Sequence, residues 1–300
     1  MGARELGNGV SESAIRFDCQ GVPLVGILHR PAAAKRRGLL MVVAGGPQFR
    51  VGASRQMILW ARRMAREGYP VMRFDSRGMG DSYGEFRDFL KTDDDIRAAV
   101  DCFVAQCPDL DEVVLWGECN SASAILFYAF RDPRVKGLVL LNPWVRTDVV
   151  QARTVLRYYY FIRLAQPSFW RKLFSLQFNP LESLRSMIKL IVQARSGSLP
   201  SRGAPDGDGF AAELPHDLEL PDRVLAGFSR FNGPMLMVLS GRDLIAREFD
   251  VLIANSPRWQ AEIGRKALTR HDLAEGDHTF SSARLREQVV SWGIDWLGKW

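Results

Sequence analysis

Residues 116–123 read WGECNSAS and join a short apolar run, residues 112–116, to a segment that favours a helix. A buried strand that passes directly into a helix makes a sharp turn, which lifts the side chain at the turn above the end of the sheet. Small neighbours suit such a crowded turn, and Gly117 and Ser121 flank Cys119 here. This stretch therefore predicts an α/β fold with Cys119 presented at the end of a central strand.

Cys119 is a candidate nucleophile because the start of a helix favours the negative charge of a thiolate. Its surroundings have the pattern G-x-C-x-S, in which Ser121 replaces the second glycine of the usual nucleophile elbow, G-x-S-x-G. The alternative interpretation is that Cys119 is a small buried residue at a tight turn. Other parts of the sequence are needed to choose between the two.

Strand and helix patterns alternate on both sides of this turn, which indicates a mostly parallel sheet with helices on both faces. Strands are predicted over residues 13–19, 22–30, 39–44, 70–75, 112–116, 137–141, 234–240 and 267–273. Helices are predicted over residues 55–67, 93–106, 119–130, around 248–255, and 283–297. The pattern predicts an eight-stranded sheet.

The alternation stops at Asn142-Pro143 and resumes near residue 234. We expect residues 1–143 and 233–300 to form the α/β core and residues 144–232 to form an inserted helical cap. The stretch SGSLPSRGAPDGDG, residues 196–209, has the composition of a flexible loop within that cap.

His278 and Asp243 are candidate partners of Cys119, because each follows one of the last two predicted strands. The chain order nucleophile, acid, histidine is the order that this kind of fold uses for a triad. Asp277 is a weaker candidate for the acid, since its adjacency to His278 gives poor geometry for orienting the ring. Without a catalytic role, Asp243 would cap the next helix and His278 would be a surface residue.

The loop after the third predicted strand, Gly45-Gly46-Pro47-Gln48, is a candidate oxyanion hole. Backbone N–H groups from such a loop and from the residue after the nucleophile, here Asn120, would hold the oxyanion. Proline has no N–H, so Gly46 or Gln48 supplies the second donor, and the sequence leaves that choice open. Glu118 is a candidate accessory residue that either interacts with the thiol or simply packs.

Composition limits the other possibilities. The four cysteines form no C-x-x-C pair or zinc-type cluster, so we expect reduced thiols, no metal and no cofactor. No apolar run approaches the roughly 18 residues of a transmembrane helix, and the first residues lack a signal-type stretch. A cytoplasmic enzyme is expected, whereas the oligomeric state is left open.

Charge is concentrated in one segment of the chain. Residues 144–195 contain nine basic and two acidic side chains, a balance of +7 within a total of +6. This excess favours an anionic feature on the substrate, such as coenzyme A or a carrier protein, although a solvated basic face is the alternative. No nucleic-acid-binding motif accompanies it.

Taken together, these motifs resemble the α/β-hydrolase superfamily, and within it the group called exosortase A system-associated hydrolase 1. The closer resemblance is carried by GGPQFRVG at residues 45–52, RQ at 55–56, FDSRGMGDS at 74–82 and the cysteine elbow. The resemblance implies a hydrolase and does not fix a substrate.

We therefore expect a cysteine-dependent acyl hydrolase that cleaves an ester or thioester of a small molecule through a Cys119–His278–Asp243 triad. An acyltransferase would share these residues and differ in whether water is excluded. A non-catalytic binding module on the same fold is a third interpretation, which the serine at position 121 favours slightly.

Overall fold

The computed structural model describes residues 4–7, 9–43, 49–146, 214–215 and 217–300. Within these residues a nine-stranded sheet has the order β1-β2-β3-β5-β4-β6-β7-β8-β9 when strands are numbered along the chain. The strands are Arg4–Glu5, Val10–Cys19, Val22–Pro31, Arg37–Val42, Val71–Phe74, Glu112–Glu118, Val135–Leu141, Met235–Ser240 and Leu268–Leu273. Strands β4 to β9 are parallel to one another, and β1 to β3 form an antiparallel extension at one side.

Seven α-helices lie in the described part of the chain, and they are numbered α1 to α7. They span Gln56–Arg66, Asp93–Gln106, Asn120–Tyr128, Leu220–Arg230, Leu244–Ala254, Pro257–Arg265 and Ala283–Leu297.

Two apolar clusters on opposite faces of the sheet hold these layers together. Along β4, Leu40 and Val42 belong to one cluster, whereas Leu39 and Met41 belong to the other. Side chains of α2 to α6 complete the first cluster, and those of α1 and α7 complete the second. Because successive side chains of a strand point to opposite faces, this alternation confirms the predicted sheet with helices on both sides.

The strand count differs from the predicted eight because Arg4–Glu5 pairs with Ser11 and Glu12 of β2. Two residues carry no periodicity, so their pairing was not predicted from the sequence. The prediction also missed α6, although its first turn carries a helix-start signal: Ser256 accepts a hydrogen bond from the Trp259 N–H, and Pro257 is the first helical residue.

The predicted cap, residues 144–232, lies largely outside the described residues, as does the loop at 196–209. Helix α4 falls within that range but packs on the core. A Cβ added to Gly227 would lie 2.3 Å from the Leu126 carbonyl oxygen of α3, so the two helices touch closely. Phe228 is fully buried in the first apolar cluster. The division into core and cap remains a prediction, and we propose that the insert ends before α4.

Candidate active site

Cys119 occupies the turn between β6 and α3. Its backbone has φ 57° and ψ −121°, a strained conformation for any residue other than glycine. The Cys119 N–H donates to the Leu141 carbonyl at 2.8 Å, which fixes the turn against the end of β7. Strain of this kind persists where the surrounding structure enforces it, and it is concentrated at functional sites.

Small residues make this turn possible. A Cβ on Gly117 would lie 2.6 Å from the backbone carbonyl of Ser121, so position 117 has room only for glycine. The Ser121 hydroxyl accepts from the Glu118 N–H at 2.8 Å and donates to the Glu118 carbonyl at 2.7 Å. The Ser123 hydroxyl donates to the Trp144 carbonyl at 2.6 Å. Both serine hydroxyls near the turn are thus engaged with backbone groups.

Asp243 and His278 meet at the same end of the sheet. Asp243 follows β8, and its Oδ2 lies 2.7 Å from Nδ1 of His278, which follows β9. Asp243 also accepts the N–H groups of Ile245 and Ala246, so the same carboxylate caps α5. The rival acid, Asp277, instead accepts hydrogen bonds from the backbone N–H and hydroxyl of Ser281.

The His278 ring interacts with both other members of the predicted triad. The hydrogen bond with Asp243, followed by a hydrogen bond with the Cys119 side chain, raises the pKa of His278 to about 10. These partners therefore stabilise the protonated ring. The structure brings the side chains of Cys119, His278 and Asp243 together at one end of the sheet.

Glu118 directly precedes Cys119, and its carboxyl group lies in a poorly solvated position. Gln56, at the start of α1, donates a hydrogen bond to its Oε2, and its Oε1 has no partner among the described residues. Burial raises the pKa of Glu118 to about 8, against the opposing influence of the nearby His278. A carboxyl group in this setting holds a proton at pH values where an exposed glutamate would be ionised.

One predicted oxyanion donor can be located, and two cannot. Asn120 is the first residue of α3, directly after Cys119, and its side-chain oxygen lies 3.6 Å from the Cys119 sulfur. Gly46 and Gln48 lie outside the described residues. Just after that loop, the Arg50 N–H donates to the buried Asp75 carboxylate at 2.5 Å, and the Arg50 guanidinium bridges Asp75 and Asp81.

The described residues contain neither a metal-ion cluster nor a membrane-spanning helix. No three His, Cys, Asp or Glu side chains among them are grouped so that they could hold a metal ion. No helix among them is both long and apolar enough to cross a membrane.

Comparison with known proteins identifies relatives of the whole chain. Residues 35–196 match the family model described as serine aminopeptidase, S33. The chain is 26% identical over 307 aligned residues to the quorum-quenching protein AidA of Acinetobacter baumannii, covering 94% of this chain and 93% of that protein.

Solved structures share the fold at lower identity. An esterase of Pyrococcus furiosus superimposes with a TM-score of 0.61 at 17% identity, covering 96% of this chain and 91% of that one. Est1E of Butyrivibrio proteoclasticus, solved with ferulic acid, superimposes with a TM-score of 0.58 at 18% identity, covering 95% and 100%. These likenesses confirm the predicted α/β-hydrolase fold.

Proposed function

The chain belongs to the serine aminopeptidase S33 family of α/β-hydrolase enzymes, and we propose that it is a member with a cysteine nucleophile that hydrolyses acyl esters or thioesters. The observation that carries this proposal is the interaction of His278 with both Cys119 and Asp243. Family membership favours an enzyme over a non-catalytic binding module on the same fold.

A serine nucleophile would fit the family name, but the local contacts favour cysteine in this chain. Cys119 has the strained backbone of the turn, and its side chain faces His278. Ser121 and Ser123 are buried, with their hydroxyls bonded to the main chain. Neither serine takes the position between the strand and the helix from which a nucleophile acts.

The proposed reaction is acyl transfer through a covalent intermediate. His278 accepts the thiol proton, and the Cys119 sulfur attacks the carbonyl carbon, whose oxygen becomes an oxyanion held by the N–H of Asn120 and of Gly46 or Gln48. Collapse of this tetrahedral species expels the alcohol or thiol, which takes the proton from His278, and leaves an acyl-thioester on Cys119. Water, deprotonated by His278, then releases the acid and restores the thiol.

Glu118 is proposed as an accessory residue in this cycle. Its carboxyl group is buried next to the proposed nucleophile. The charge of Asp243 raises the pKa of Glu118, and that of His278 lowers it. A neutral Glu118 adds no negative charge beside a thiolate, and therefore does not oppose formation of the nucleophile.

The donor is proposed to be an activated acyl group. A thiolate is a good leaving group as well as a good nucleophile, so it suits thioesters and activated esters better than amides. The +7 balance of residues 144–195 favours a donor that carries negative charge, such as a coenzyme A or carrier-protein thioester. The resemblance to exosortase A system-associated hydrolases agrees with a hydrolase and leaves the substrate open. Four free cysteines agree with a reducing, cytoplasmic environment.

A second candidate substrate comes from the relative in Acinetobacter baumannii. That protein is named for quorum quenching, and the likeness extends over 94% of this chain. A hydrolase that quenches signalling would act by cleaving a bond in the signal molecule. We therefore include acylated lactones, which are neutral, beside the charged thioesters as substrates to be tested.

The proposal is tested with a panel of acyl-thioesters, p-nitrophenyl esters and acylated lactones, with intact-mass detection of acylated Cys119. Wild-type enzyme is expected to turn over at least one donor and to gain the mass of the acyl group in a rapid quench. Turnover that persists in Cys119→Ala would overturn the cysteine mechanism. Release of an acyl-alcohol or acyl-amine product when such an acceptor is added would identify an acyltransferase instead.

A further inference from the structure

Asn142 directly follows β7 and lies two residues before the predicted insert. It is fully buried, and its φ of 47° lies in the left-handed region, which asparagine tolerates better than most residues. Its backbone N–H donates to the Val238 carbonyl of β8 at 3.1 Å. The backbone contact with β8 therefore already helps to fix the position of Asn142.

The oxygen and both N–H groups of the Asn142 side chain form hydrogen bonds, and all of their partners belong to Ser240 or His278. The oxygen accepts from the Ser240 N–H at 2.8 Å, and the nitrogen donates to the Ser240 hydroxyl at 2.9 Å. The second hydrogen of that nitrogen is donated to the His278 carbonyl at 3.0 Å. A buried amide that is satisfied in this way is rigid, because no alternative partner competes for it.

Asn142 also contacts the loop that carries His278 indirectly, through Ser240. Its hydroxyl accepts from Asn142 and donates to the Asp277 carbonyl at 2.9 Å, one residue before His278. Asn142 thus contacts the loop that carries His278 both directly and through Ser240. Ser240 itself ends β8, three residues before Asp243.

Cys119 is held in place by Leu141, the residue before Asn142. The Leu141 carbonyl, immediately before Asn142, accepts the N–H of Cys119 at 2.8 Å. Residues 141 and 142 therefore make hydrogen bonds to all three segments that supply the proposed triad.

We propose that Asn142 is a positioning residue that sets the distance of His278 from Asp243 and Cys119. The inference rests on the proposed cysteine triad. Fixing the His278 carbonyl limits rotation of that residue's backbone, and so keeps Nδ1 facing Asp243 while the ring faces Cys119. Proton transfer needs such geometry, and a displacement of about 1 Å can cost about 10²-fold in rate.

Two substitutions at this site separate the amide donor from the shape of the residue. Asn142→Asp keeps the size and an oxygen that can accept from the Ser240 N–H, but replaces both N–H donors with an acceptor. Asn142→Gly keeps the positive φ without strain and removes the whole side chain. Ser240→Ala removes the indirect contact alone. Ser256→Ala, which removes the cap of α6, is the control for a loss of stability away from the site.

The readouts are kcat and KM for a p-nitrophenyl ester and the rate of Cys119 alkylation by iodoacetamide at pH 7. The two Asn142 variants are expected to lose about 10- to 100-fold in kcat with KM within about twofold of wild type. Their alkylation is expected to be slower than that of wild type, because a displaced His278 no longer accepts the thiol proton. Asp243 and Glu118, which lie beside Cys119 and His278, are unchanged in every variant.

Folded Asn142 variants with wild-type kcat and alkylation rate would overturn the inference, as would kcat losses that Ser256→Ala reproduces. If both Asn142 variants fail to fold, Ser240→Ala decides: slower alkylation of Cys119 supports the inference, and an unchanged rate overturns it. Failure of the proposed function has a different signature, since wild-type Cys119 would then be alkylated no faster than Cys102 and Cys119→Ala would stay active.

Discussion

Asp243 Oδ2 lies 2.7 Å from His278 Nδ1, and the same carboxylate accepts the first free N–H groups of helix α5. The two roles are connected, because capping fixes the carboxylate in the position from which it meets the ring. An aspartate that caps a helix and an aspartate that orients a histidine were opposed interpretations of the sequence. In the structure, one side chain does both.

Asp243→Asn is therefore expected to leave the fold intact and impair catalysis. Asparagine caps helices about as well as aspartate, but it no longer fixes the tautomer of the histidine, and the analogous change in a serine triad costs about 10⁴-fold in kcat. The measurement is kcat on an activated ester together with thermal unfolding. Asp277→Asn is the matched control, since Asp277 accepts hydrogen bonds from Ser281, whereas Asp243 is hydrogen-bonded to the His278 ring. A larger loss in that control would assign the role to Asp277.

Cys119 is expected to react with iodoacetamide before the other three cysteines. Burial raises the pKa of Cys19 to about 12 and that of Cys102 to about 11, and it also raises that of Cys107. Cys102 is the useful comparison, because it is partly exposed as Cys119 is. Peptide mass mapping at short times and pH 7 measures the order of labelling. Equal rates at Cys102 and Cys119 would contradict an activated thiol.

Glu118→Gln is expected to change how stability depends on pH. The pKa of Glu118 is raised by burial from 4.5 to about 8, so the folded wild type binds a proton more tightly than the unfolded chain. Its free energy of unfolding should therefore fall as pH rises from about 4.5 to about 8, by at most about 1.4 kcal/mol per pH unit. Glu118→Gln lacks this pH dependence, so its free energy of unfolding should rise relative to that of wild type as pH increases across the same range.

Urea unfolding at pH 5, 7 and 9 tests this difference. Glu85→Gln, at an exposed loop position, should run parallel to wild type. Parallel curves for Glu118→Gln as well would mean that Glu118 is ionised throughout. Measuring kcat in the same variant tests the accessory role separately, and an unchanged value would leave Glu118 with a packing role.

Reversal of Arg153 and Arg157 to glutamate tests the basic segment. If its charge attracts an anionic donor, KM should rise for a coenzyme A thioester and stay nearly constant for a neutral p-nitrophenyl ester of the same acyl chain. The effect should weaken with salt, since charges are screened over about 8 Å at physiological ionic strength. Reversal of the exposed residues Arg16 and Arg66 matches the change in net charge. Equal effects on both donors would point to stability, and no effect on either would end the anionic-donor proposal.

Local signals account for the parts of the fold that the sequence predicted well. Helices α2 and α7 have the predicted bounds, because an acidic first turn marks the start of α2 and apolar residues recur at helical spacing in both. Strand β1 was missed because it consists of two exposed residues whose only structural signal is pairing with β2. The signal for α6, a serine followed by proline, is present in the sequence at residues 256–257.

Some residues of the candidate site can be predicted from the sequence, and others only from the structure. The positions of Cys119, Asp243 and His278 are predicted from the sequence alone, because each residue follows a predicted strand and their chain order is that of a triad. Asn142 is not predicted, because its partners Ser240 and His278 lie 98 and 136 residues away and only the closed sheet brings them together. The pattern break at Asn142-Pro143 predicts a boundary and carries no signal for contacts with Ser240 or His278. The donors at Gly46 or Gln48 stay predictions.

Strands β7 and β8 are neighbours in the sheet although residues 142–234 separate them in sequence. Hydrogen bonds across the ends of these strands, from Asn142 to Ser240 and onward to His278, join the proposed triad without using any residue between 147 and 213. The arrangement of the proposed triad therefore depends on contacts between strand ends that are far apart in sequence and adjacent in the sheet.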